Sequence, residues 1–222
     1  ERILRFQKMK GIDGTRNGWI TAEFTGDTWK LDFYEKLSSI DFDEALIDIP
    51  IGLPEDSTRK CDAEARDFLA PERHYSIFNC PVRDSVYADS YEEACDINEE
   101  KTGKRISKQA WNIVPKIREA DKEARKRKLS ESHPEVFFKS LDKDSIIESK
   151  SSEKGLKDRK EILKRFGDIS VIEDFEAKDV SEDDLIDAMV LSLGSKYKLE
   201  SIPEDPDKDS EGLEMSIRRP KV

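Results

Sequence analysis

The sequence is poor in the residues that bind zinc or form disulfides. It has three cysteines, Cys61, Cys80 and Cys95, and two histidines, His74 and His133. The cysteines are odd in number and never spaced as Cys-x-x-Cys, so a zinc site of the Cys/His type is disfavoured. We expect reduced, partly buried thiols, as in a protein of the cytoplasm.

Long apolar runs are also missing. No stretch approaches the roughly 18–20 apolar residues that a membrane-spanning helix needs. The segment Glu-Arg-Ile-Leu-Arg at the start of the sequence is not typical of a secretory signal. We therefore expect a soluble, cytoplasmic protein with no membrane partner. The sequence has no internal repeat or flexible linker, which favours one domain over residues 1–222.

Positive charge is in the minority. Lysine and arginine number 39 against 50 aspartates and glutamates, which gives a formal net charge of -11. Such a chain is not drawn to nucleic acid as a whole, so binding would require a local basic patch or metal ions that neutralise phosphate. One segment, residues 116–128, carries seven basic and three acidic residues. It predicts either a helix that binds a nucleic-acid backbone or a solvated helix with i, i+4 ion pairs, and the pattern favours the second.

The first half of the sequence has the pattern of a mixed sheet. Residues 9–13, 19–24 and 29–34 predict three strands joined by turns rich in Gly, Asn and Asp, as in an antiparallel meander. Residues 45–52 are apolar except for Asp48 and predict a buried strand in a parallel part of the sheet.

The remainder is mostly helical in pattern. A helical insertion is predicted at about residues 57–130, with helices at 61–69, 91–101 and 107–128, the last interrupted by Pro115. Beyond it the sequence predicts a strand or strand-to-helix turn at 131–138, helices at 155–166 and 181–191, a loop at 201–212 and a possible edge strand at 213–219. The predicted class is α/β.

Aspartates occupy positions where a structural role is hard to supply. Asp13 stands near the end of the first strand, Asp48 lies in an apolar strand, and Asp184 and Asp187 share a helix face. Converging carboxylates in apolar surroundings are costly unless something compensates their charge. A pair of divalent ions would do so, and the four aspartates therefore predict a Mg²⁺ or Mn²⁺ site.

Most of these aspartates also have a structural explanation, which is weakest for Asp187. Asp13 could form an Asx turn at Gly14-Thr15. Asp48 could pair with an arginine such as Arg83, and Asp183 and Asp184 could be ordinary acids of a helix start. Asp13, Asp48 and Asp187, in this order along the predicted strands and helix, indicate a metal site more specifically than any one of them alone.

Several motifs together resemble a known family. They are Gly11-Ile12-Asp13-Gly14-Thr15-Arg16-Asn17-Gly18-Trp19, Ile47-Asp48-Ile49-Pro50-Ile51-Gly52-Leu53-Pro54 and His133-Pro134-Glu135. Further matches are Arg59-Lys60-Cys61-Asp62 with Arg66, Phe78 with Pro81 and Arg83, and Ser107 with Gln109, Ile113, Lys116 and Asp121. Over residues 9–195 the sequence resembles a family of predicted RNase H-like nucleases, catalogued as domain of unknown function 429.

The resemblance implies an RNase H-like mixed sheet, with three antiparallel strands plus parallel strands flanked by helices. It makes Glu135 a candidate ligand or base, against the alternative of a salt-bridged turn with His133. Arg83, Gln109 and Lys116 could hold a scissile phosphate, or each could be a helix-surface residue. Residues 184–188 also resemble the carboxylate helix of Holliday-junction resolvases.

The leading hypothesis is a metal-dependent nuclease that acts on DNA or RNA, with Asp13, Asp48, Glu135 and Asp187 as catalytic residues. One alternative is a non-catalytic nucleic-acid-binding or interaction module that kept the fold. Another is ATP-dependent phosphoryl transfer, because sugar kinases and actin open with a similar Gly-x-Asp-Gly-Thr turn. Those proteins close a second such domain over ATP, and this sequence is too short to contain one.

Overall fold

A mixed sheet forms the centre of the molecule. The computed structural model describes residues 9–142, 148–149 and 152–222, and the N-terminal segment considered above lies outside these ranges. The strands are β1 (Met9–Gly14), β2 (Trp19–Phe24), β3 (Trp29–Tyr34), β4 (Glu44–Ile47) and β5 (Lys128–Glu131). Their order is β3-β2-β1-β4-β5; β1, β2 and β3 pair antiparallel, and β4 is parallel to both β1 and β5. The predicted RNase H-like mixed sheet is confirmed.

Helices flank this sheet. They are α1 (Lys60–Leu69), α2 (Arg83–Tyr87), α3 (Tyr91–Thr102), α4 (Lys108–Ala124), α5 (Pro134–Leu141), α6 (Glu153–Lys164), α7 (Val171–Asp174) and α8 (Glu182–Ser192). Helices α1 to α4 lie between β4 and β5, where the helical insertion was predicted. Helix α4 continues through Pro115, contrary to the predicted interruption, because Val114 and Ile117 hold it against the sheet.

The two faces of the sheet build two cores, as alternation along a strand requires. Leu46 packs with residues of α5 and α8, whereas its neighbours Ala45 and Ile47 pack with residues of α4. Among the described residues, every helix is too short or too polar to cross a membrane.

The C-terminal strand, predicted as a possible edge strand at 213–219, is not part of the five-stranded sheet. β7 (Ile217–Pro220) pairs antiparallel with β6 (Leu199–Ile202) in a separate two-stranded sheet. A single isolated bridge, Ser132 to Arg218, links it to the end of β5.

The segment after β5 is a strand-to-helix turn. Pro134 takes the first position of α5, and His133 caps the helix by accepting a hydrogen bond at Nδ1 from the Glu135 N–H, at 3.2 Å. Of the two predicted alternatives for residues 131–138, the strand-to-helix turn is therefore correct, because the chain is already helical at Glu135.

Candidate functional site

A cleft of about 800 Å³ opens where β1 and β4 end. All four aspartates of the predicted metal site line it. Its other walls include the turn after β1, the middle of α4, the start of α5 and the loop that follows α1; they contribute Arg16, Arg59, Arg73, Ser76, Phe78, Asn112, Lys116, Glu131, His133 and Glu135 among others.

Strand pairing brings Asp13 and Asp48 side by side. Ile12 is opposite Ile47 in the parallel pair β1–β4, and the Asp48 N–H donates to the Ile12 carbonyl at 3.1 Å. The two aspartates are the next residues along each strand. Asp13 is 7% exposed, and its Oδ1 accepts a hydrogen bond from the Gly14 N–H at 2.8 Å. Asp13 therefore shapes the turn and also lines the cleft.

Helix α8 supplies the other two aspartates from its first two turns. Asp187 is 1% exposed. Asp184 forms a capping box with Ser181, whose N–H donates to Asp184 Oδ2 at 2.9 Å. Asp184 thus has a local role at the helix start as well as a place in the cleft wall, while Asp187 is buried beyond what a helix cap explains.

Lys116 is the cation beside this acidic wall. Its Nζ donates to the Gly18 carbonyl at 2.6 Å and lies 4.3 Å from the centre of the Trp19 ring. Burial lowers the pKa of Lys116, and the charges of Asp13 and Asp184 are among those that oppose this shift. Gly14 leaves room for the side chain, since a Cβ there would stand 2.7 Å from Lys116 Cδ.

Glu135 lines the cleft but is already held by two arginines. Arg159 donates to both of its carboxylate oxygens at 2.6 Å, and Arg73 donates to Oε1 at 2.8 Å. Burial alone would raise the pKa of Glu135, but Arg159 and Arg73 outweigh it and the pKa lies below its usual value. Glu135 is therefore a poor base, and its predicted role as a ligand would require an arginine to move.

The other predicted phosphate contacts are placed differently. Arg83 pairs with Asp209 at 2.6 Å and with Asp121 at 3.2 Å rather than with Asp48. Gln109 is exposed in the first turn of α4. Neither is among the described residues that line the cleft, so Lys116 alone of the three lies there.

Sequence reasoning missed the basic and aromatic part of the cleft wall. Arg16 is exposed at the turn after β1, and Asn112 stands one helical turn before Lys116 on α4. Arg73 and Phe78 come from the loop after α1. Arg16 and Phe78 belong to the motifs that resemble the family, but no role was assigned to them. Asn112 is signalled only by its i, i+4 spacing from Lys116, and Arg73 reaches the cleft through the tertiary fold.

None of the three cysteines is among the described residues that line the cleft. All three are free and buried, which confirms the expected thiols. Burial raises the pKa of the Cys61 and Cys80 thiols, which suppresses the reactive thiolate.

A divalent ion would find oxygen ligands here but no complete protein cage. Within the described ranges, no three His, Cys, Asp or Glu side chains form a group that could hold a metal ion. Mg²⁺ commonly binds through only one or two carboxylates and completes its shell with water and substrate phosphate. One or two of the four aspartates would suffice for a site of that kind.

A family match spans the acidic wall of the cleft. No curated protein and no solved structure matches the chain significantly. The family described as "Protein of unknown function (DUF429)" matches residues 11–208, which include every residue of the acidic wall. The chain therefore belongs to the DUF429 family.

Proposed function

We propose that this protein is a Mg²⁺- or Mn²⁺-dependent nuclease that hydrolyses phosphodiester bonds in DNA or RNA. The observation that carries the proposal is the convergence of Asp13, Asp48 and Asp187, from three separate elements, on one cleft. Ionised carboxylates that share a cleft repel one another, and bound cations would offset that repulsion. Three carboxylates that converge on one cleft in spite of their repulsion suggest that function requires them there.

The chain's own residues would divide the work. Asp13, Asp48 and Asp187 would share the divalent ions, with one or two carboxylates on each ion and Asp184 at the edge of the set. Lys116 and Arg16 would contact phosphate oxygens and orient the strand. When bound, the ions would neutralise the charge that develops on the phosphate. Overall, a water oxygen adds to phosphorus, one P–O ester bond breaks, and the leaving oxygen gains a proton.

An activity screen tests the proposal. The wild type is assayed with Mn²⁺ and with Mg²⁺ on single-stranded, duplex, hybrid and branched substrates. We expect cleavage of at least one substrate and its loss on chelation. Asp187→Asn should lower the rate by roughly two or more orders of magnitude, because metal placement provides much of the catalysis.

Asp183→Asn is the matched control. Asp183 lies in the first turn of the same helix but is not among the described cleft residues, so its substitution should leave the rate within about twofold. Equal activity of the wild type and Asp187→Asn would contradict the proposed site. Absence of cleavage on every substrate, with oligonucleotide binding intact, would favour the non-catalytic module.

A further inference from the structure

One aromatic ring in the cleft wall is exposed although the backbone around it is fixed. Arg66 of α1 donates to the Ile77 carbonyl at 3.2 Å and to Asn79 Oδ1 at 2.7 Å. Asp62 Oδ2 accepts a hydrogen bond from the Cys80 N–H at 2.9 Å. These bonds hold the chain on both sides of Phe78. Phe78 itself is nevertheless 38% exposed.

Phe78 stands between two cavities. It lines the acidic cleft, and it also lines a second cavity of about 220 Å³. The residues that line the second cavity include Thr102, Lys104 and Ser107, so it offers hydroxyl groups and a lysine beside apolar surface. Phe78 therefore borders both the acidic cleft and a cavity with a cation to receive a further anion.

A nucleobase attached to the scissile phosphate has the chemistry that such a ring would recognise. A base stacked on the exposed ring would remove apolar surface from water, which is favourable. Aromatic side chains stack on unpaired bases without regard to sequence, whereas the bases inside a duplex are already covered by their neighbours. Stacking of this kind contributes roughly ten- to a hundredfold to affinity.

We propose that the cleft takes an unpaired strand, with one base stacked on Phe78 and the adjoining backbone running into the second cavity. This inference rests on the proposed nuclease function for the position of the scissile phosphate. It predicts preference for single-stranded over duplex substrate, independent of base sequence.

Equilibrium binding tests the inference without requiring catalysis. Fluorescence anisotropy is measured with Ca²⁺ present, for labelled 15-residue oligothymidylate, oligouridylate, an abasic strand of the same length and a blunt duplex. The wild type should bind the base-containing strands roughly tenfold or more tightly than the abasic strand and the duplex. Phe78→Leu should remove that preference while leaving affinity for the abasic strand unchanged, and Phe78→Trp should restore it.

Tyr87→Leu is the control, because Tyr87 is 39% exposed and does not belong to the described walls of either cavity. Thermal midpoints of all variants check that folding is intact. Equal binding by the wild type and Phe78→Leu, or no binding of any strand, would overturn the inference. If the protein prefers base-containing strands through Phe78 but cleaves no substrate, the stacking site stands and the proposed nuclease function is wrong.

Discussion

At the scale of single residues, Asp13 combines two roles that one substitution can separate. Its carboxylate accepts a hydrogen bond from the Gly14 N–H and also lines the acidic cleft. Asp13→Asn keeps an oxygen for that bond but removes one negative charge. In EDTA the thermal midpoint of the variant should equal or exceed that of the wild type, since like-charge repulsion is relieved. With Mg²⁺ or Mn²⁺ at 100 times its dissociation constant, the wild type should gain roughly 2.7 kcal/mol and the variant less.

Differential scanning fluorimetry at several metal concentrations measures both effects. Asp183→Asn serves as control and should follow the wild type at every concentration. If metal stabilises Asp13→Asn and the wild type equally, Asp13 is only a turn former.

The role of a residue can be predicted from the sequence only when the features that determine it lie nearby in the sequence. Asp48 could be singled out because a charge within an apolar run is itself a local signal. Arg83 could not be assigned, because Asp121 and Asp209, which hold its guanidinium, are 38 and 126 residues away in the sequence. The arginines that neutralise Glu135 are likewise 62 and 24 residues away.

At the scale of elements, the packing of α8 on β1 positions Asp187. Gly11 allows this contact, because a Cβ there would stand 2.0 Å from the Ala188 carbonyl oxygen and 2.5 Å from the Ser192 nitrogen. Both are backbone atoms and cannot turn aside. Gly11→Ala should therefore push α8 from the sheet and cost about 3 kcal/mol or more in the free energy of unfolding, measured by urea denaturation.

Gly14→Ala is the matched control on the same strand. Its added methyl group would meet only the flexible chain of Lys116 in the first instance, so the cost should stay within about 1 kcal/mol. Similar losses for the two variants would mean that β1 and α8 can separate easily. The position of Asp187 would then not depend on Gly11.

Element identity could be read from the sequence more fully than element pairing. Turns rich in Gly, Asn and Asp predicted the meander of β1 to β3, and Ser181 with the acids that follow it predicted the start of α8. The pairing of β7 with β6 was not accessible, because apolar alternation specifies a strand without specifying its neighbour. The early end of β4 at Ile47 also differed from the predicted strand over 45–52, and it leaves Asp48 at the mouth of the cleft.

At the scale of the whole molecule, the basic segment at residues 116–128 makes most of its contacts within the protein. Arg118 donates to the carbonyls of Val86 and Ala88, and Arg127 donates to the carbonyls of Leu37 and Ile40. The i, i+4 pair of Arg125 with Asp121 accounts for more of its charge. The predicted i, i+4 ion pairs are present, but Arg118 and Arg127 are half-buried against carbonyl groups of other elements, so the predicted solvated face is only partly present. Electrostatic attraction of nucleic acid by a chain of net charge -11 would then rest on the cleft and its ions.

The ion cluster of Glu135 links distant parts of the molecule and should set its response to acid. Glu135, 4% exposed on α5, joins Arg73 from the loop after α1 to Arg159 on α6. Because its pKa is lowered in the folded protein, Glu135 contributes stability that is present above about pH 4.5, the usual value. That stability is lost as the pH falls through the folded pKa. Glu135→Gln leaves two buried arginines without their carboxylate and should cost roughly 3–5 kcal/mol at pH 7.

Urea midpoints of the wild type and Glu135→Gln at a series of pH values test this linkage. The difference in stability should be constant from pH 7 to about pH 5 and should shrink below pH 4.5, as the wild-type carboxylate takes up its proton. Glu161→Gln is the control: Lys164 lowers the pKa of Glu161 too, but both side chains are exposed, so the substitution should change little at any pH. A difference for Glu135→Gln that persists undiminished well below pH 4 would show that Glu135 acts through its shape and hydrogen bonds. Its charge would then not be what holds these three segments together.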